Sequence, residues 1–322
     1  MPSALSPNKL RRPTLTKGLA GWFLPNAAPR NAYIELDAML AGLNTSLHTD
    51  THTSHIYSCA ATEKLYALSK QGEDGGMVTI IGQPQWKSAH LATIAAEASH
   101  SAALAAAYGE NSDAFLEQIG GNFAFVIIDS ANGTVLTGVD RLGHFPLYYC
   151  QTSNTQDKGL VFGSSASTVL AHSGVERKIL PQGIYDFIYF HMVPSPASIY
   201  QGLSKLPAGH YLKYSAGNIE IHNYWQPRFS ESSDKSFHSM AKELRPQLKS
   251  AVDRAVTDFS TTGAFLSGGL DSSSVTGMLA ELSEHQARAY SIGFAAEGYD
   301  EMAFARISAK KFGVKLNEYY VT

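Results

Sequence analysis

The residues best equipped for chemistry lie at 267–273, Ser-Gly-Gly-Leu-Asp-Ser-Ser, inside the string GAFLSGGLDSSSVTGML (263–279). Gly268 and Gly269 let the backbone turn sharply and present its N–H groups inward. Ser267, Ser272 and Ser273 add hydroxyl donors. A helix starting near Ser272 would add its positive end, so the stretch reads as a nest for a phosphate or pyrophosphate. It is not a Walker A loop, because Leu270-Asp271 stands where Lys-Ser/Thr is required, and it does not match G-x-G-x-x-G. Asp271 would repel a phosphate unless a cation lay between them. It is therefore read as a Mg²⁺ ligand, with the metal bridging to the phosphates. Two glycines and a few caps also describe an ordinary helix start. The full string after a buried strand favours nucleotide binding.

The surrounding elements fit that placement. GAFL reads as a strand entering the loop. Val275, Met278, Leu279 and Leu282 mark one face of a following helix. AYSIGF is a second strand, DEMAFARISAKKF a second helix stopped by Gly313, and LNEYYV a third strand. The order β-α-β-α-β predicts the start of a parallel sheet with right-handed crossovers, whose ligands sit beyond the carboxyl ends of the strands. Upstream, Phe237, Met240, Leu244, Leu248, Val252, Val256 and Phe259 recur at helical spacing, with Pro246 expected to kink that helix or shift its start. The polar, turn-rich stretch 226–236 marks a domain boundary.

Residues 19–224 read differently, as short strands with two helical patches. MVTII, NFAFVIID, GTVLTGV and GLVFG are strand-like, and Asn132-Gly133 is a hairpin signal. NFAFVIID is apolar at both alternating sets of positions, which predicts a strand covered on both faces. HSAALAAAYG reads as a helix. This part is expected to be a layered α+β sandwich.

LSGGLDSS resembles the pyrophosphate-binding loop of the asparagine synthetase B family, and YSIGFAAEGYDE resembles that family's second strand and following loop. GGNFAFVIIDSANGTVLTGVDRLGHFPLYY and the segment from FGSSASTVLAH to LPAGHYLKY resemble its amino-terminal domain and interdomain region. The resemblance covers Lys17 to Thr322. It implies an Ntn-hydrolase-like αββα sandwich over 18–225, of the class II glutamine amidotransferase type. The first part of an ATP-pyrophosphatase domain, of the PP-loop (adenine nucleotide α-hydrolase-like) kind, follows over 237–322. It also implies an ATP-dependent ligase that activates a carboxylate as an acyl-adenylate, releases pyrophosphate and forms an amide with an amine or ammonia. By position, Ser267 to Ser273 would hold phosphates, Phe265, Leu266, Ile292 and Gly293 would contact adenosine, and Asp271 would hold Mg²⁺. Ile292 also reads as a plain core strand residue. Asp300-Glu301 could face the nucleotide or simply charge a helix start.

The glutaminase half of that family uses an amino-terminal cysteine whose α-amine acts as base. Here KGLAGWF puts Lys17 in the cysteine's place, sixteen residues into the chain. Lys17 has no free α-amine and reads as a solvated surface lysine. No arginine occurs between Asn31 and Asp140 to clamp a glutamine carboxylate. The oxyanion-stabilising Asn-Gly appears as Ile81-Gly82, and isoleucine cannot donate to an oxyanion. His100 stands where an aspartate would bind the glutamine amine. Four changes aimed at one reaction predict that glutamine hydrolysis is lost, a pattern resembling β-lactam synthetases and lasso-peptide cyclases. A cyclase or peptide-modifying ligase is therefore one alternative. A non-catalytic nucleotide-binding remnant or truncated gene product is another, because the family's later signature S-D-E-x-F-G-G-Y is absent and the chain reads as a fragment leaving an exposed apolar edge.

Composition sets the outer limits. The chain has 322 residues, 44% hydrophobic, enough for two domains of ~150 residues. A net charge of −3 argues against a nucleic-acid surface. No apolar run approaches a membrane span of ~18 residues. Cys59 and Cys150 are too few for a disulfide framework and read as buried thiols in a reducing, cytoplasmic setting. The first 34 residues hold five basic and no acidic side chains, which suits a solvated leader or a weak transit peptide. A homo-oligomer is compatible with all of this.

Overall fold

The computed structural model describes residues 17–25, 32–43, 49–54, 56–70, 73–112, 114–152, 158–229, 235–294 and 300–321. Except for Lys17, the segment 1–17 expected as a leader lies outside them. The chain divides into two compact units, Met1–Pro227 and Arg228–Thr322.

The first unit runs β1 (Leu19–Phe23), α1 (Ala32–Leu43), β2 (Asp50–Thr53), β3 (Tyr57–Ala61), β4 (Tyr66–Lys70), β5 (Glu73–Trp86), α2 (Ala89–Glu97), α3 (His100–Glu110) and β6 (Ile119–Asp129). It continues with β7 (Thr134–Val139), β8 (Tyr148–Gln151), β9 (Leu160–Gly163), α4 (Ala166–Leu170), α5 (Pro181–Phe190), β10 (Ser204–Lys205), β11 (His210–Ser215) and β12 (Asn218–Asn223). The strands form two six-stranded sheets, ordered β10-β8-β9-β1-β3-β2 and β12-β11-β7-β6-β5-β4.

The alternation within β6 explains the layering. Ala124, Val126 and Ile128 join Leu19, Phe23, Tyr57 and Phe162 between the two sheets. Phe123, Phe125 and Ile127 point the other way and pack with Leu91 and Leu104 of α2 and α3. Trp22, Met39, Leu43 and Val169 close a third cluster, of the first sheet with α1 and α4. The result is helix, sheet, sheet, helix. β6 is buried on both faces because a strand in the middle of four layers has no solvent side. The β6–β7 hairpin turns through 130–133, with the Asp129 carboxylate accepting from the Asn132 backbone N–H at 3.1 Å and side-chain Nδ2 at 2.7 Å. Cys59 and Cys150 are buried free thiols, and burial pushes Cys59 up to about 12.

The second unit runs α6 (Phe237–Ala255), β13 (Gly263–Phe265), α7 (Leu270–Leu282), β14 (Arg288–Phe294), α8 (Met302–Phe312) and β15 (Lys315–Val321). The three strands are parallel in the order β13-β14-β15. Helix α8 stops at Gly313, as expected. Two expectations are corrected. Pro246 lies inside one uninterrupted α6, and only the later part of the apolar stripe is used: Leu248, Val252, Val256 and Phe259 pack, whereas Phe237, Met240 and Leu244 are exposed. On α7 the buried residues are Thr276, Gly277, Met278 and Leu279, while Val275 is exposed, so the covered stripe is rotated from the one predicted. What lies bare is a sheet face rather than only an edge. Phe265, Tyr290, Ile292, Phe294 and Tyr319 share that face and are all exposed, while Ala289 and Leu266 sit under the helices.

Candidate functional site

The loop at 266–269 leaves β13 at its carboxyl end and feeds directly into α7. Gly268 has φ +89, and a Cβ there would lie 2.5 Å from Phe304 Cβ and 2.6 Å from Ala305 N. Both the left-handed backbone and the contact with α8 therefore require glycine. Gly269 is the N-cap of α7 and makes no side-chain cap. The Ser273 N–H closes the first turn on the Gly269 carbonyl at 3.1 Å. The N–H groups of Leu270, Asp271 and Ser272 have no acceptor among the described residues, as expected for the first turn of a helix.

The hydroxyls around this turn are already organised. Ser267 Oγ and Ser272 Oγ are 3.0 Å apart, and Ser272 Oγ also accepts from the Ser267 N–H at 3.3 Å and donates to the Gly269 carbonyl at 3.3 Å. Ser267, Gly269, Leu270 and Asp271 are exposed. The Asp271 carboxylate has no hydrogen bond or ion pair among the described residues and belongs to the first turn of α7. No group of three or more His, Cys, Asp or Glu side chains suited to a metal occurs among the described residues. One carboxylate still fits Mg²⁺, which keeps several waters and takes its remaining ligands from phosphates.

The four residues expected at the adenosine are not brought to one surface. Leu266 is 1% exposed and belongs to the core, so its side chain is unavailable to a ligand and only its backbone could serve. The strand alternation that buries it also puts Gly293 on the helix-covered side, where a Cβ would lie 2.4 Å from the Tyr320 ring. Phe265 and Ile292 share the open face, at 80% and 49% exposure, so Ile292 is no core residue of this unit. Asp300 Oδ1 accepts from the Met302 N–H at 3.3 Å, which makes it a helix-start residue, as the simpler reading had it. Residues 295–299 lie outside the described residues.

In the first unit Lys17 is not a free surface lysine. Its ammonium donates to the Gly82 carbonyl at 2.8 Å and lies 2.7 Å from Glu63 Oε1. Gly82 itself has φ +110, and a Cβ there would lie 2.3 Å from the Asn122 carbonyl and 2.7 Å from the Phe145 ring, so this position requires glycine. Ile81 is fully buried between the sheets, so its side chain faces no ligand. Trp86 Nε1 donates to His100 Nδ1 at 3.0 Å, which requires that nitrogen to be unprotonated. Desolvation lowers the His100 pKa, Glu63 opposes that shift and Lys17 adds to it. A hollow of about 900 Å³ beside α3 contains none of these residues. Glu63 and Trp86 carry no sequence signal that would have singled them out.

Residues 89–225 match the glutamine amidotransferase domain family and residues 243–322 match the asparagine synthase family. The chain is 31% identical over 211 residues to a Methanocaldococcus jannaschii protein named "Putative asparagine synthetase (glutamine-hydrolyzing) 2", covering 64% of this chain and 40% of that protein. It is 28% identical to asparagine synthetase (glutamine-hydrolyzing) 3 of Bacillus subtilis, covering 56% of this chain and 29% of that one. A glutamine aminotransferase class-II domain protein from Silicibacter pomeroyi aligns over 65% of this chain and 92% of its own, with 11% identity and a TM-score of 0.33, too loose to carry weight. The chain thus spans two fifths or less of the curated relatives named here. Residues 89–225 are thus similar to a glutamine amidotransferase domain and residues 243–322 to an asparagine synthase, in that order along the chain.

Proposed function

We propose that this protein is an ATP-dependent amide-bond ligase that activates a carboxylate as an acyl-adenylate and releases AMP and pyrophosphate. The observation that carries this reading is the Ser267–Ser273 turn. Free N–H groups, hydroxyls and an unpartnered carboxylate converge at the carboxyl end of a parallel strand. The turn would hold the ATP phosphates through the N–H groups of Leu270, Asp271 and Ser272 and the hydroxyls of Ser267, Ser272 and Ser273. Asp271 would hold Mg²⁺, which offsets the charge of the phosphates. Phe265 and Ile292 offer apolar surface for the adenosine.

The first unit acts as a scaffold without glutamine hydrolysis. Lys17 has a carboxylate and a carbonyl as its partners, and Ile81 turns away from any cleft. The amine then comes from free ammonia or from the substrate itself, as in a cyclase. The test is ATP–pyrophosphate exchange across candidate carboxylates, followed by product formation with glutamine, ammonia or neither. Exchange with at least one carboxylate is expected, with no gain from glutamine. A folded protein that exchanges with none of them loses the ligase reading, and glutamine-dependent amide formation loses the scaffold reading. A cytoplasmic setting belongs to the same proposal; among the described residues no helix is long and apolar enough to cross a membrane.

A further inference from the structure

Helix α8 does more than back the glycine turn. Its buried stripe is Met302, Ala305 and Ala309, small or flexible side chains that let it approach α7 and the sheet closely. Ser308 lies beside that stripe, half-buried, where an alanine would pack as well. The departure is its hydroxyl, which lies 2.9 Å from Ser273 Oγ. Neither hydroxyl has another side-chain partner among the described residues. Helix α8 is fixed in place, because Phe304 packs on Gly268 and Arg306 pairs with Glu318.

A serine hydroxyl has one proton to give. If Ser273 donates to Ser308, that proton is spent and Ser273 can offer an anion only lone pairs. If Ser308 donates to Ser273, the Ser273 proton is free for an acceptor, and the second bond strengthens the first. Phosphate oxygens only accept, so a bound phosphate selects the second arrangement. We propose that Ser308 is a positioning residue for the phosphate site. It donates to Ser273 and so turns the Ser273 hydroxyl into a donor toward a pyrophosphate oxygen. This rests on the reading of the 267–273 turn as the ATP phosphate site.

The test titrates Mg²⁺-pyrophosphate, and separately Mg²⁺-ATP, into the 322-residue protein by calorimetry. The proteins are the wild type, Ser308→Ala, Ser308→Thr, Ser273→Ala and the double alanine variant. Ser308→Ala is expected to weaken pyrophosphate binding by about 3- to 10-fold with the melting temperature unchanged. Ser308→Thr should restore most of that loss, and Ser308→Ala should add nothing once Ser273 is alanine. A wild type that binds pyrophosphate, with Ser308→Ala binding equally well or weakening additively with Ser273→Ala, overturns the role of Ser308 alone. A wild type that binds neither ligand removes the phosphate-site reading and this inference with it.

Discussion

At the scale of single residues, Lys17 shows how an apparently idle side chain gains partners. An ammonium near a carboxylate and a carbonyl is held, yet about a third of each side chain remains exposed. The pair therefore contributes on the order of 0–1 kcal/mol rather than anchoring the fold. His100 beside it is the better reporter. Its ionisation in the folded chain is depressed chiefly by desolvation, and protonation at Nδ1 would break the bond from Trp86. Below about pH 6.5 the unfolded chain then binds a proton that the folded chain resists. The contribution is fully present above that pH and is lost as pH falls through the interval beneath it. Urea denaturation at pH 7.5 and 5.5 should show the wild type losing more stability than His100→Gln. The difference is about half a kcal/mol or less, since the ring is partly exposed. Equal losses in both proteins would dismiss the idea.

At the scale of elements, α6 is the instructive case. A proline at the tenth of its nineteen positions removes one N–H donor, which leaves the carbonyl one turn earlier without its bond. The helix continues because Leu248 and Val252 pack with Leu279 and Met278 in one core, and tertiary packing outweighs a local penalty of about 3 kcal/mol. Pro246 is exposed, so nothing in its own contacts rewards the ring. Pro246→Ala should raise the stability of the second unit by about 1–3 kcal/mol, read from the midpoint of chemical denaturation. A lower midpoint would show that the proline is needed to aim Leu248 and Val252. Helix α8 makes the complementary point: a small-residue stripe and a left-handed glycine let it press on the glycine turn, so the loop is shaped by a helix more than thirty residues downstream.

At the scale of the whole molecule, the two units differ in how completely they are covered. The first buries each of its sheets between a helical layer and the other sheet. The second leaves one face of a parallel sheet open, with Phe265, Tyr290, Ile292, Phe294 and Tyr319 on it. Parallel sheets are ordinarily covered on both faces, so this surface has the chemistry of an interior. The chain should bind the dye ANS, and Ile292→Lys combined with Tyr319→Lys should reduce the fluorescence by more than half without lowering the melting temperature. An unchanged signal would place the dye elsewhere, with the exposed aromatic residues of α5 the next surface to vary.

Sequence alone was enough for the strands on either side of Asn132-Gly133, the β-α-β-α-β order after Gly263 and the place of the glycine turn. Each of these depends on periodicity or on local backbone chemistry, which neighbours in the chain decide. It also showed that both sides of β6 would be covered, because every position of NFAFVIID but the first and last is apolar. What only the tertiary structure decided was which partners those residues meet. Strand alternation put Leu266 and Gly293 on one side of the sheet and Phe265 and Ile292 on the other, a split that depends on where α7 and α8 pack. Lys17 acquired Glu63 and Gly82, and Ser273 acquired Ser308, across 46, 65 and 35 residues of chain respectively. Hydrogen bonds act over about 3 Å, and residues so far apart in sequence reach that distance only after the layers have closed.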